Sequence, residues 1–338
     1  MWAQRSSRDC RATFEPISVL MMPRMLSPLS SQIDHARRSV LLVRASELEV
    51  IVVRGSDRIS WLNGLLTCNL AAAAPGQAIY GLAVQQKGRI VCDVTVLVEE
   101  DRVLLVVPAS IRAELETSFD HYLVMEDAEF SHVPYAVWHA HGPRARDLVA
   151  AARGASGASA AEIDPTGLGG AILAAPSEDE AKAFEALSTA VQQAGGLVGD
   201  DAGWEALRIE QGVPRFSRDF DGTTYPQEAT LERRAVSFDK GCYLGQEVVC
   251  MLEMRGRVKR KLAPLVLAND GAPEPPAKGT EVFDAAGNKV GEITSSAPSP
   301  TRDAHVAFAM LKASAVAPDA AVKVAGRDAR IYSGSAEK

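Results

Sequence analysis

From Lys261 onward the chain is cut into short runs of strand character, LAPLVLA, TEVFD, KVGEITS, AHVAFAML, AVKVA and ARIYS, separated by Gly, Pro and Asn turns. Strands this short cannot bury an apolar face singly. Closing them on one another removes every unpaired edge, so a small β-barrel is expected over residues 259–338. The Pro-rich APEPPAKG fits an exposed loop of that barrel.

Upstream the pattern is mixed, which makes the class α+β. LEVIVVRG reads as a strand, and SDRISWLNGLLTCNL as a helix with Ser56 at its cap and Ile59, Leu62 and Leu66 on one face. Residues 77–109 read as a meander whose turn runs from Glu99 to Arg102, and Ser110 caps a further helix. AARGASGASAAEIDPTGLGG has the composition of a linker. Ser177 and Glu180 form a capping box before a helix that carries Phe184, Leu187, Val191 and Ala194 inward and stops at Gly195-Gly196. The expected division is therefore an irregular N-terminal extension over 1–38, α+β portions over 39–150 and 151–258, and the barrel.

Residues 1–32 carry Arg, Ser and Pro without periodicity. Asp9 and Glu15 argue against an organellar presequence, and Met21, Met22 and Met25 offer later starts, so a cytoplasmic protein is expected. With 338 residues and a net charge of -7, the chain has no broad electrostatic footprint for nucleic acid. Its apolar runs are too short for a membrane-spanning helix. The five cysteines, Cys10, Cys68, Cys92, Cys242 and Cys250, include no C-x-x-C pair, which favours free thiols over disulfides or structural zinc.

Three stretches could carry chemistry. In KGRIVCDVTVLV, strand alternation places Asp93 with Val91, Thr95 and Leu97, and Cys92 on the opposite face. Asp93 either meets solvent, Lys87 or Arg89, or serves a ligand as hydrogen-bond acceptor or base. In WEALRIEQGVPRFSRDFDGTTYPQEATLE, Glu205 and Arg208 lie one helical turn apart, as an ordinary surface pair would. The long irregular segment after them supplies Arg215, Arg218, Tyr225, Pro226 and Glu228, the kind of loop that lines sites. In KGCYLGQEVVCMLEMRGRVKRK, a thiol at Cys242 would feel Lys240 and a following helix N-terminus, both of which favour the thiolate. The other cysteines read as small buried hydrophobes, and His139 and His141 as structural or exposed. Arg255, Arg257, Lys259, Arg260 and Lys261 form a basic run suited to a solvated face, an anionic ligand tail, or a nucleic-acid or protein partner.

Together, WLNGLLTCNL, QQKGRIVCDVTVL, RIEQGVPRF, YPQEATLE, KGCYLGQEVV and RGRVKRKL resemble the YgfZ-type folate-binding proteins of iron-sulfur cluster maintenance, relatives of the aminomethyltransferase T-protein of glycine cleavage. The resemblance implies a ring of three domains around tetrahydrofolate or a one-carbon derivative. It implies iron-sulfur client or assembly proteins as partners, including radical enzymes that modify tRNA. Carried over by motif, Asp93, Arg208, Glu210, Tyr225, Glu228 and Lys240 would line the folate site and Cys242 would be the distinctive thiol, with Cys242 and Asp93 as the catalytic pair and no metal site. Three departures weigh on the choice of function. Cys92-Asp93 stands where the T-protein has two successive acids, TGLGG where it has TGEDG, and Met251 where the YgfZ type often has arginine. A folate-dependent one-carbon transferase and a non-catalytic RNA- or protein-binding adaptor are the competing readings.

Overall fold

The computed structural model describes residues 28–154, 157–256 and 258–332. Elements run α1 (Leu29–Arg38), β1 (Leu41–Arg44), β2 (Leu48–Arg54), α2 (Arg58–Leu65), β3 (Ala78–Val84), β4 (Ile90–Val98), β5 (Val103–Pro108), α3 (Arg112–Asp120) and β6 (Glu129–His132). Then follow β7 (Tyr135–His141), α4 (Ala145–Gly154), β8 (Ser159–Glu162), β9 (Gly170–Pro176), α5 (Glu180–Gln193), β10 (Leu197–Val198) and α6 (Asp201–Glu210). A long loop containing α7 (Glu232–Ala235) leads to α8 (Gln246–Arg255). The last strands are β11 (Arg260–Leu267), β12 (Glu281–Phe283), β13 (Lys289–Ser299), β14 (Ala304–Lys312), β15 (Ala321–Val324) and β16 (Arg327–Ile331). Among the described residues no helix is long and apolar enough to cross a membrane.

Two five-stranded sheets, ordered β3-β4-β5-β2-β6 and β10-β1-β7-β9-β8, precede a closed barrel of β11-β14-β13-β12-β15-β16. The barrel strands are the six expected. β2 shows why the sheets stack: Ile51 and Val53 pack toward α2 and α3, while Val50 and Val52 pack against Val137, Ile172 and Ala174 of the other sheet. A strand covered on both faces reads as a continuous apolar run, as LEVIVV does. The meander turn is also as expected, with the Glu99 amide donating to the Arg102 carbonyl.

Chain order and sheet membership do not coincide. β1 pairs antiparallel with β7 and parallel with β10, so it belongs to the second sheet although it precedes every strand of the first. The boundary expected at residue 150 falls inside α4. Nor is the segment up to residue 38 irregular throughout: α1 buries Gln32, Ile33 and Ala36 against α6. Its apolar face is only a few residues wide, too little for periodicity to reveal. The expected linker contains β8, whose Ser159, Ala160 and Ala161 are buried. Small side chains resemble a linker in composition, yet here they allow close strand packing: a Cβ on Gly170 would stand 2.4 Å from the Ile163 carbonyl oxygen.

Three expected caps are absent. The Ser56 hydroxyl donates to Asp127 at 2.8 Å rather than capping α2, α3 begins after Ile111, and Ser177 starts a 3-10 turn that precedes α5. The end of α5 at Gly195, φ 67°, and its inward Leu187, Val191 and Ala194 agree with expectation.

Candidate functional site

Where the facing sheets part, a cavity of about 960 Å³ opens. Ile79, Asp93, Thr95 and Val106 line it from the first sheet and His139 and Ile172 from the second. Trp204 of α6, the loop around Asp164, and residues 213–218 complete the wall. Its size is that of a site for a drug-sized ligand.

Asp93 lies on the face that alternation assigns it: Cys92 is fully buried on the helix side, while Asp93 and Thr95 look into the cavity. Neither Lys87 nor Arg89 is its hydrogen-bond partner. The Tyr80 hydroxyl, from the neighbouring strand, donates to Oδ2 of Asp93 at 3.1 Å. Burial pushes the Asp93 carboxyl up to about 6, against the pull of Tyr80 and the Arg215 charge. A carboxyl so placed exchanges its proton near neutrality, which suits an acid or base. Burial and the adjacent carboxylate hold the Tyr80 phenol well above its ordinary range, so it remains a donor.

The opposite wall is aromatic. His141 stacks on Trp204 at 4.2 Å between ring centroids, and His139 lies 5.7 Å from both rings. Burial, with help from the Arg215 charge, lowers His139 to about 4, so it presents a neutral ring to the cavity at pH 7. Strand register puts both histidines on one face, and their i, i+2 spacing was the available signal. Arg215 spans the site's edge, pairing with Glu47 at 2.9 Å, Asp201 at 3.0 Å and Glu205 at 3.2 Å.

Of the site residues expected from motifs, only Asp93 lines this cavity. Arg208 is no surface pair. Its side chain is fully buried, and its guanidinium donates to Glu205, to the Val213 carbonyl at 3.1 Å and to Asp219 at 2.7 Å. Helical spacing could not reveal that the barrel packs over this turn, with Phe308 lying 5.9 Å from the guanidinium. Glu210 joins Arg37 at 3.1 Å to Ser299 at 2.6 Å, linking α1, α6 and the barrel. Tyr225 packs under Arg89, and Glu228 accepts from the Tyr225 amide and pairs with Arg260.

KGCYLGQE forms a clamp. The Lys240 ammonium donates to the carbonyls of Asn63, Leu66 and Cys68 at 2.7, 2.8 and 2.6 Å, closing the end of α2. It is thus directed at backbone oxygens rather than at a thiolate on Cys242. Tyr243 is buried beside Leu82, Ile90 and Leu231. Gly245 has φ 76°, and a Cβ there would stand 2.4 Å from the Gln85 carbonyl oxygen, so glycine is required. Cys242 is exposed and outside the cavity lining. Cys68 and Cys92 are buried as expected, with burial raising Cys68 to about 11; Cys250 is half-buried, and Cys10 lies outside the described residues. Of the basic run, Arg260 and Lys261 pair with Glu228 and Glu232, while Arg257 is also outside them.

Residues 5–164 match the GCVT N-terminal domain, and residues 260–333 match the glycine cleavage T-protein C-terminal barrel domain. An aminomethyltransferase of Mycobacterium avium is 27% identical over 321 residues, covering 90% of this chain and 86% of that protein. One from Thermotoga petrophila is 26% identical over 320 residues, covering 87% and 84%. The glycine cleavage system aminomethyltransferase T from Bartonella henselae has the same fold, with a TM-score of 0.79 over 91% of this chain and 89% of that one at 19% identity. Both domains that characterise the glycine cleavage T-protein are thus matched in order, and its fold is shared over 91% of this chain.

Proposed function

We propose that the protein binds tetrahydrofolate or a one-carbon derivative in the cavity between its sheets and acts in folate-dependent one-carbon transfer. The observation that carries this reading is Asp93, a carboxyl raised to about 6 on the wall of a cavity large enough for the ligand. The lining suits a reduced pterin: Ile79, Val106 and Ile172 offer apolar surface, His139 and Trp204 flat rings, and Asp93 an acceptor for an N–H edge. Tetrahydrofolate, when bound, supplies the nitrogen atoms that carry the one-carbon unit. Asp93 would orient that ligand and hold or release a proton at its carboxyl oxygen, and Tyr80 would keep the carboxyl turned toward the cavity. The aminomethyltransferase relatives support a transferase. Leu168 and Gly169 replace the acids of the T-protein turn, but Asp164 brings a carboxylate to the same loop, where it accepts from the Thr166, Gly167 and Gly169 amides.

The test is titration with tetrahydrofolate. Replacing the charged acceptor by Asp93→Asn is expected to weaken binding about tenfold or more. Folate-dependent release of a one-carbon unit from an amine donor should vanish in the same variant. Unchanged affinity would remove Asp93 from the site.

A second reading, maintenance of iron-sulfur enzymes with the folate site retained, is favoured by the placement of Cys242. The thiol is exposed on a braced turn outside the cavity, where a client or assembly protein could meet it. Cys242→Ala would then bind folate normally but fail to sustain iron-sulfur enzymes, including tRNA-modifying ones, in a deletion strain. Full restoration by that variant would exclude this reading.

A further inference from the structure

Of the ten residues of α8 only Val249 is buried, whereas α1, α4 and α6, equally long, bury three or more each. Composition does not explain the difference, because Val248, Val249, Cys250, Met251, Leu252 and Met254 make α8 more apolar than α1. One flank of the helix meets the turn between β3 and β4, where a Cβ on Gly88 would stand 3.0 Å from Val248. The other flank meets α7, whose Arg233 pairs with Glu253 at 2.8 Å. A rotation of about 100° per residue then puts Met251 nearly opposite the buried Val249, with Glu247 one turn before it and Arg255 one turn after it on the same line. Glu247, Met254 and Arg255 are exposed, Met254 to 81%, and Val248, Met251 and Leu252 are only half-buried. Among the described residues neither Glu247 nor Arg255 makes an ion pair.

A contiguous apolar row left facing water marks a contact surface, and its charges say what covers it. The row is acidic in its first turn and basic in its last, so its electrical complement is the same row run in the opposite direction. On a two-fold axis through Met251, each Glu247 meets Arg255 of the partner subunit and each Met254 meets Val248 of the partner subunit, while the two helix dipoles oppose. Running the helices parallel would instead set like charges together. We infer that α8 is a dimer contact, its outer face pairing antiparallel with that of a second copy of this chain. Such a contact uses the same surface twice and closes after two copies. Methionine suits it, since a flexible thioether fills an irregular gap without demanding a fixed shape. The inference goes beyond the cavity and does not depend on what the cavity binds. Two helices of this length cover less than the roughly 1,200 Å² at which stable complexes begin, so the association is weak and varies with concentration.

Sedimentation equilibrium of the full chain over a range of concentrations is the test. The parent should show a monomer–dimer equilibrium with a dissociation constant of about 10–100 µM, weakening several-fold as salt rises. Glu247→Arg or Arg255→Glu alone sets like charges together at both ends of the contact and should weaken the dimer about tenfold. The double reversal restores both pairs and should return the dimer to within about threefold of the parent. Melting curves check that these exposed substitutions leave the fold intact. A parent that stays monomeric up to about 500 µM overturns the inference and leaves a different protein as the occupant of the face. A dimer indifferent to the single reversals, or not restored by the double one, places the contact elsewhere on the molecule and overturns it as well.

Discussion

Asp93 and Lys240 are both ionisable groups drawn out of water, and they are satisfied in opposite ways. Lys240 spends its ammonium on three backbone carbonyls, and burial still pushes it down to about 8. Asp93 has the Tyr80 hydroxyl at one oxygen and a cavity in front of it, and burial pushes it up to about 6. A charge saturated by its own chain holds a fold together. One left short of partners is available to a ligand, and the fold carries the cost of keeping it so.

The contrast can be broken most severely at Lys240. Lys240→Ala leaves three carbonyls without a charged donor and should cost about 3 kcal/mol of stability, seen as a fall in denaturant midpoint. A change below about 0.5 kcal/mol would show that water replaces the ammonium freely. At the next scale, Gly245→Ala forces a left-handed alanine against the Gln85 carbonyl and should cost about 2 kcal/mol by the same assay. An unaffected midpoint would mean that α8 shifts without penalty.

Asp93→Asn should move stability the other way. Because its folded value lies above that of an unfolded aspartate, Asp93 contributes stability at low pH that is lost as pH rises from about 4 through about 6. The asparagine variant escapes this loss and should exceed the parent by about 1 kcal/mol above pH 7, with no advantage near pH 4. His139, depressed to about 4, has the opposite slope: its contribution is present above about 6.5 and lost as pH falls toward 4. The variant should therefore destabilise more steeply than the parent on acidification from 6.5, and parallel melting-temperature profiles for the two proteins would refute the Asp93 assignment. The smallest effect is expected at Cys242, where Cys242→Ser should change stability by less than about 0.5 kcal/mol and leave folate affinity intact, since the side chain is exposed outside the cavity. Weakened folate binding in that variant would bring the thiol back into the site.

These two regions also mark how far the amino-acid sequence could be read. Strand alternation was enough to put Asp93 and Cys92 on opposite faces, because period two in a covered strand leaves little choice. Turn residues were enough to delimit the barrel strands. KGCYLGQE shows a limit of residue types: a lysine and glycines that grip the chain's own carbonyls are the same residues that would grip a ligand, so the sequence alone could not reveal the clamp. Arg208 failed similarly, since its spacing from Glu205 describes one helix and says nothing about the barrel packed on it. The aromatic wall of His139, His141 and Trp204 needed two distant segments to meet, and Tyr80 needed the β3 to β4 register. Local hydroxyls suggested caps that tertiary partners such as Asp127 took instead.

The pairing of β1 with both β7 and β10 bears on how the molecule is made. At 5–20 residues per second, a ribosome needs on the order of ten seconds after releasing β1 to deliver its last neighbour. Throughout that interval Leu41, Leu42 and Val43, all shielded in the finished protein, have no completed sheet to join. The earlier-finished sheet of β2 to β6 must therefore form with an apolar strand dangling from its start, a nascent state with an intrinsic call on chaperones.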